Sequence, residues 1–413
     1  MKILFLSDDF PPASFGGAGI STYELALGME KAGHEVFVIT TCRKESEAGE
    51  FEYNGLKIFK IASDYFGRWR AYLSINNRPV VQHVEALLQQ IRPDVVHANN
   101  IHAHLSYACL KVAKKYVKAV VFTARDVMTF NFAKLNTKRY LENLDCRTTW
   151  RDHIKQAGKR WNPFRNFFIK KYLGYADKIF SVSDALRDAL AQNGISGVKT
   201  IHTGIEVATR HVSADAIATF RKRHALERKK IIFFAGRLSA EKGGTAVLGT
   251  LAEVSKEMSD VVLLVAGSID EYAQVMQEQA KKFGMEKQLI FTGWIEQEEV
   301  KVAYAVADII LVPSMYLDPF PRMVIEAMGS GKSVIGTCYG GAPEIIVNGV
   351  TGYIVNPFAV TEMAEKTLDL LKNPQKAKAF GQAGYERVIR NFNLEDKVKE
   401  YIAIYKALLE KVQ

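Results

Sequence analysis

Four cysteines in 413 residues are too few and too scattered to staple a fold. Cys42, Cys109, Cys146 and Cys338 form no pair at ligand spacing, so neither a disulfide framework nor a zinc site is expected. Long apolar runs are missing too: none approaches the ~18 residues of a membrane-spanning helix. The opening Met1-Lys-Ile-Leu-Phe-Leu-Ser-Asp-Asp9 turns acidic too soon for a signal peptide. A cytoplasmic protein with free thiols is the expectation. No nucleic-acid reading module is recognisable either, which matters because the net charge is +10.

What is present is a globular composition, 48% apolar and 24% charged, in a chain long enough for two or three domains. The positive balance points to nucleic acid, an acidic membrane surface or an anionic substrate, without choosing among them. Its distribution is more telling. Between Lys134 and Lys171 lie Lys138, Arg139, Arg147, Arg151, Lys155, Lys159, Arg160, Arg165 and Lys170, against Glu142, Asp145 and Asp152 alone. Tyr140, Trp150, Trp161, Phe164, Phe167 and Phe168 are interleaved, a pattern that suits bases, lipid headgroups or simply a solvated helical face.

The hydrophobic pattern alternates short buried runs with helical stretches. Residues 3–6 read as a strand, 7–19 as a glycine-rich loop, a helix follows from about Ser21, and 35–40 form the next strand: a βαβ unit. Strands at 55–61, 95–97, 119–123, 178–182 and 199–203 continue it, with helices near 80–91, 104–116 and 184–193. A charged stretch, 208–230, marks a boundary. Beyond it strands are expected at 231–235, 261–266, 289–292, 309–312, 333–336 and 352–355, and terminal helices at 361–371, 375–390 and 395–412. Two successive α/β halves imply two doubly wound Rossmann-like domains facing each other across a cleft, where ligands prefer to bind.

The chemistry concentrates after residue 312. Asp318 sits in a proline-studded loop at a strand-to-helix corner and Glu326 on the helix beyond it. They are ligand-binding carboxylates or, more blandly, a helix cap and a solvated acid. Gly236-Arg237-Leu-Ser-Ala-Glu-Lys242-Gly-Gly244 places a guanidinium and an ammonium at a glycine-terminated strand end, an arrangement that suits a pyrophosphate. Gly17-Ala-Gly19-Ile-Ser-Thr22 lacks the third glycine of a dinucleotide fingerprint and lies too far from its strand. What remains is a glycine loop above an anion-favouring helix start. Gly329-Ser-Gly-Lys-Ser333 fails as a P-loop: Glu326 stands at its first glycine, and a helix precedes it where a strand belongs. It reads as a helix exit.

In their order and spacing these pieces resemble the retaining glycosyltransferases of family 4, with the GT-B fold, over nearly the whole chain. The carrying motifs are Gly16-Gly17, Gly33-His-Glu-Val-Phe-Val38, Asp94-Val-Val-His-Ala-Asn-Asn100 and Gly236-Arg237 with Lys242. Gly293, Asp318-x7-Glu326, Gly340-Gly-Ala-Pro-Glu344 and Asn348-Gly-Val-Thr-Gly-Tyr353 complete the set. The resemblance implies an acceptor-side domain at 1–207, rejoined by a terminal helix at 393–413, and a donor domain at 208–392. It implies that Arg237 and Lys242 hold the diphosphate of a nucleotide-sugar donor, with backbone N–H groups of Met323 and Val324 cradling phosphate. Glu326 would bind ribose hydroxyls, Asp318 sugar hydroxyls, and Gly16 and Gly17 would let the first domain close on the donor. No metal or other cofactor is implied.

Three positions depart from the family. Asp318 stands where glutamate is usual, Pro321 replaces a glycine and removes one N–H, and Arg125 in Thr123-Ala-Arg-Asp126 occupies the usual histidine position. Arg125 fits an acidic sugar or acceptor, altered or lost activity, or an ion pair with a carboxylate such as Asp126. A catalytically altered sugar-nucleotide or glycan-binding homologue is therefore the alternative to an active hexosyltransferase, with an epimerase of the same fold and a nucleic-acid binder behind it. The acceptor is a glycan, a lipid-linked molecule or a small molecule. The basic segment 134–171 suggests peripheral attachment to an anionic inner membrane face.

Overall fold

A computed structural model of the chain describes residues 1–13, 16–207 and 212–411. The chain divides into two compact units, Met1–Ile205 with Leu394–Gln413, and Glu206–Asn393. The expected boundary at 207/208 adjoins residues 208–211, which lie outside the described residues, as do Ser14 and Phe15 of the first loop and Val412 of the last helix.

The first unit is built on eight strands: β1 (Lys2–Leu6), β2 (Glu35–Cys42), β3 (Gly49–Tyr53), β4 (Leu56–Ala62), β5 (Val95–Ala98), β6 (Ala119–Ala124), β7 (Lys178–Ser181) and β8 (Val198–Thr200). Their order is β3-β4-β2-β1-β5-β6-β7-β8. Every neighbouring pair is parallel except β3 with β4. Ile3, Leu4, Phe5 and Leu6 are wholly buried, as expected of a strand covered on both faces. The edge strand β3 was not anticipated. Asn54 and Gly55, with φ of 49° and 85°, form a two-residue hairpin turn that pairs Tyr53 with Leu56. Gly55 thus turns the chain instead of opening a strand.

Two helices of this unit start away from their expected positions. The first spans Gly17–Lys31, so Gly17 and Gly19 belong to its first turn and not to the preceding loop. A Cβ on Gly19 would meet the Asp9 carbonyl oxygen at 3.0 Å, so the glycine lets the helix start close against the strand end. The helix expected from His104 begins only at Ala108. The N–H groups of Ala103, His104 and Leu105 donate instead to the Asp8 carboxylate, at 2.7, 2.9 and 2.7 Å, and Ser106 has φ of 74°.

The last helix, Leu394–Glu410, packs on the first. A Cβ on Gly28 would meet Val398 Cγ2 at 2.6 Å, so that glycine sets how closely the two axes approach. Tyr401 and Tyr405 reach into the core formed by Ile3, Phe5, Val95 and Val121.

The second unit carries β9 (Lys230–Ala235), β10 (Val261–Ala266), β11 (Leu289–Gly293), β12 (Ile309–Val312), β13 (Val334–Thr337) and β14 (Gly352–Val355). They form one sheet in the order β11-β10-β9-β12-β13-β14, parallel throughout. The charged stretch before β9 holds a helix, Ala214–Arg223, capped by Ser213 accepting the Ala216 N–H at 3.2 Å. The sequence pattern had hidden it because Phe220 is its only fully buried side chain. Lys332, in the failed P-loop, donates to the carbonyls of Ala305 and Ala307 at 2.7 and 2.9 Å, closing the end of the helix Gln297–Val306.

In each unit the strand order reverses beside the first strand. The switch lies between β1 and β5 in the first unit and between β9 and β12 in the second. Loops at the carboxyl ends of such strands are where open α/β sheets bind ligands. In the second unit those loops carry Arg237, Lys242 and Asp318.

Candidate active site

Gly236 (φ 116°) directly follows β9, and Arg237 comes next, exposed to solvent and with no ion pair among the described residues. A short turn, Ala240–Lys242, then hands over to the helix Gly244–Ser255 through Gly243, whose φ is 87°. A Cβ on Gly243 would lie 2.3 Å from the Pro313 carbonyl oxygen. The Met315 N–H donates to the Glu241 carbonyl at 2.7 Å. Glycine and hydrogen bond together clamp the loop after β9 onto the loop after β12.

That clamp delivers Lys242 to Asp318. The ammonium donates to Oδ2 at 2.7 Å. Ser314 and Tyr316 hydroxyls donate to the same oxygen at 3.2 and 3.1 Å. Oδ1 takes no hydrogen bond among the described residues. Burial disfavours the Lys242 charge, but Asp318 and the Tyr316 hydroxyl outweigh it and hold the lysine pKa above its ordinary value. Burial and then Asp318 push the Tyr316 hydroxyl up as well. Lys242 is therefore a fixed ammonium, unsuited to giving up a proton near neutral pH. The Asp318 backbone is held as firmly: its carbonyl accepts the Gly341 N–H at 2.9 Å, and a Cβ on Gly340 (φ 64°) would lie 2.1 Å from it.

The helix Arg322–Gly329 follows, with Pro321 as its N-cap and no side chain capping it. The Val324 N–H already donates to the Pro321 carbonyl at 3.0 Å, whereas Met323 donates to no backbone carbonyl among the described residues. Of the two N–H groups expected to cradle phosphate, that of Val324 thus has a partner in the capless first turn and that of Met323 is open to one.

Glu326 is also engaged. Arg322 donates to Oε1 at 3.1 Å from Nε and 2.9 Å from Nη2, and Tyr304 donates to Oε2 at 3.1 Å. Neither Arg322 nor Tyr304 was singled out in the sequence. The i, i+4 spacing was the available signal for Arg322; Tyr304 comes from another helix. A ribose hydroxyl at Glu326 would share or displace these donors.

In the first unit Arg125 directly follows β6. Its Nε donates to Asn99 Oδ1 at 2.9 Å. Asp126, the expected counter-ion, lies 3.2 Å from His102 Nδ1. Below them His97 is wholly buried, with Nδ1 2.6 Å from the Tyr405 hydroxyl and Nε2 2.7 Å from Thr123 Oγ1. Burial, then Arg125, keeps its pKa well below the usual histidine value, so the ring is neutral. Gly16 is the uncapped N-cap of the first helix and Gly17 its exposed first residue. The described geometry thus brings Lys242 and Asp318 into contact within the second unit, with Arg237 on the same loop as Lys242. Arg125, Gly16 and Gly17 belong to the first unit.

Residues 15–209 match the family model Glycosyltransferase Family 4, and residues 216–387 match Glycosyl transferases group 1. The chain belongs to the family 4 glycosyltransferases. It is 24% identical to an uncharacterized glycosyltransferase of Methanocaldococcus jannaschii, an alignment covering 99% of each protein. Among solved structures it resembles sucrose-phosphate synthase of Thermosynechococcus elongatus, with a TM-score of 0.79, 20% identity and 99% of each chain covered. It also resembles Anabaena HepE in complex with UDP and glucose, with a TM-score of 0.74, 18% identity, and 98% and 100% of the two chains covered. At these identities the structures speak for the fold. The two doubly wound units are those of a GT-B glycosyltransferase.

Proposed function

We propose that this family 4 glycosyltransferase transfers a hexose from a nucleoside-diphosphate donor to an acceptor, with retention of anomeric configuration and without a metal ion. The observation that carries the reading is the clamped loop pair that seats the Lys242 ammonium on Asp318, with the exposed Arg237 on the same loop as Lys242. A diphosphate leaving group gains charge as the glycosidic bond breaks, and two fixed cations stabilise that charge more than they stabilise the bound donor. Asp318 positions the sugar: Oδ1 accepts a hydroxyl while Oδ2 stays on its three donors. Glu326, released in part from Arg322, takes the ribose, and the Met323 N–H meets a phosphate oxygen. The second unit, from about residue 208 to 392, is the donor domain. The first, with the terminal helix, serves the acceptor, and Gly16 and Gly17 leave its first helix with an uncapped N-terminus able to meet an anion. That HepE was solved with UDP and glucose supports a donor of this class. The acceptor is a glycan, lipid-linked or small molecule, and the basic segment 134–171 favours one presented at an anionic membrane surface.

Arg125 supports a second reading, a donor-binding protein that does not transfer, since a permanent cation replaces the family's imidazole. A thermal-shift screen of nucleotide sugars tests both. One of them should raise the melting temperature of the wild type, and Arg237→Ala and Glu326→Ala should each remove most of that rise. If no nucleotide sugar stabilises the protein, the donor assignment falls. Binding without transfer or donor hydrolysis would establish the second reading.

A further inference from the structure

In the helix Arg165–Leu173 one charged residue faces inward while two aromatic rings face out. Arg165, Ile169 and Leu173 face inward, at i, i+4 and i+8, while Phe167 and Phe168 face solvent with Phe164 at the N-cap. Phe164 is 64% and Phe167 65% exposed. The inward Arg165 is bound by the carbonyls of Met128 and Asn131 and lies over the Phe132 ring at 4.8 Å, so this orientation is fixed.

A second segment extends the same surface. Phe66 is 75% exposed, Trp69 49% and Tyr72 48%. The turn Gly67–Trp69 packs against the turn Gly158–Arg160, and buried Asn162 donates to the Ala71 carbonyl at 3.1 Å. Residues 66–73 and 158–168 are thus stitched together. Exposed aromatic rings gathered on two segments that are held together mark an interaction site.

Charge identifies its occupant. From Trp150 to Lys171 there are seven lysines and arginines and one acid, Asp152, and residues 66–73 add Arg68 and Arg70 with no acid. Arg68, Arg160, Lys170 and Lys171 form no ion pair among the described residues. A second copy would set two such cationic faces against each other. A lipid leaflet accepts both features at once, aromatic rings at the headgroup–acyl boundary and ammonium or guanidinium groups at lipid phosphates.

We propose that Phe66, Trp69, Phe164 and Phe167, with the cations Arg68, Lys170 and Lys171 carried on the same turn and helix, form a bilayer-inserting face that docks the first unit on anionic lipid. This rests on the membrane-facing reading above and sharpens it: the inserting element includes residues 66–72, outside the basic segment, and insertion as well as attraction holds the protein. The acceptor is then a membrane-borne molecule.

Vesicles of phosphatidylcholine alone and of phosphatidylcholine with phosphatidylglycerol test it on the full chain. The wild type should sediment with the mixed vesicles only, and brominated acyl chains should quench its tryptophan emission, less so in Trp69→Phe. The double variant Phe164→Ser/Phe167→Ser, on an exposed surface, should keep its fold and lose about tenfold in partitioning. Lys170→Glu/Lys171→Glu should lose anionic selectivity. The proposal is overturned if the wild type ignores mixed vesicles at low salt or the serine variant binds as well as the wild type. A wild-type dimer that the serine variant dissolves, without vesicle binding, would also overturn it by making a second copy the occupant. Nucleotide-sugar thermal shifts on the same variants separate this from the donor reading, since they should not change.

Discussion

The two units share one architecture and use their polar residues in opposite ways. The second unit brings an ammonium and a carboxylate onto two adjacent loops and leaves a third charge, Arg237, open. Glycines without room for a methyl group, at 243 and 340, set that geometry. The first unit turns its most distinctive polar groups inward. Asp8, His97 and Arg165 are buried and hydrogen-bonded within the unit, while large aromatics face out. Parallel-sheet topology therefore fixes where a site lies, but not whether polar residues there bind ligand or hold the fold.

The sharpest way to break the comparison is at the backbone of the second unit. Gly340→Ala places a methyl group 2.1 Å from the Asp318 carbonyl at a positive φ, and the loop cannot relax without moving Asp318. We expect a loss of about 3 kcal/mol or more in the unfolding of that unit, seen by calorimetry. Retention of wild-type stability and of donor binding would show that the clamp is not what positions Asp318.

The next largest effect belongs to the first unit. Burial, opposed by its three backbone donors and helped by Asp9, raises the Asp8 pKa to about 6 from an ordinary 3.8. Between those values the folded state holds a proton the unfolded chain has lost, so stability falls as pH rises through the window and is greatest below it. The swing from pH 4.5 to 7 is about 2 kcal/mol. Urea unfolding of wild type and Asp8→Asn at both pH values should show the wild type losing that much stability relative to the variant as pH rises. A pH-independent difference would mean Asp8 is ionised throughout.

The smallest effect tests the same unit's polar core. Tyr405→Phe removes the hydroxyl beside His97 Nδ1 and leaves that buried nitrogen without a partner, at a cost of about 1–2 kcal/mol. It should leave nucleotide-sugar binding unchanged. Altered donor binding would mean that the buried network influences the site.

Much of the fold was legible because buried parallel strands are continuous apolar runs: 309–312 and 261–266 were expected with the observed bounds. Where short polar contacts decide, the pattern failed. The Asn54-Gly55 turn was a visible hairpin signal, but β3 is too polar to stand out. The late helix start at Ala108 depends on a carboxylate about a hundred residues upstream. In the candidate site the residue types could be read from spacing, since glycine, cation and acid at strand ends have few other uses. Their partners could not: Tyr304 on Glu326, Asn99 on Arg125 and Met315 on Glu241 are contacts across elements.

The sequence by itself determined the family, the two successive α/β halves and the charge of the chain, because these are properties of local pattern and count. Tertiary structure alone decided that Lys242 sits on Asp318, that the Val324 N–H is already taken and that Arg165 points inward while its aromatic neighbours point out. Each of these depends on which groups arrive at the same place in space, and a charged or aromatic residue has the same sequence signature whether it ends against a partner or against solvent.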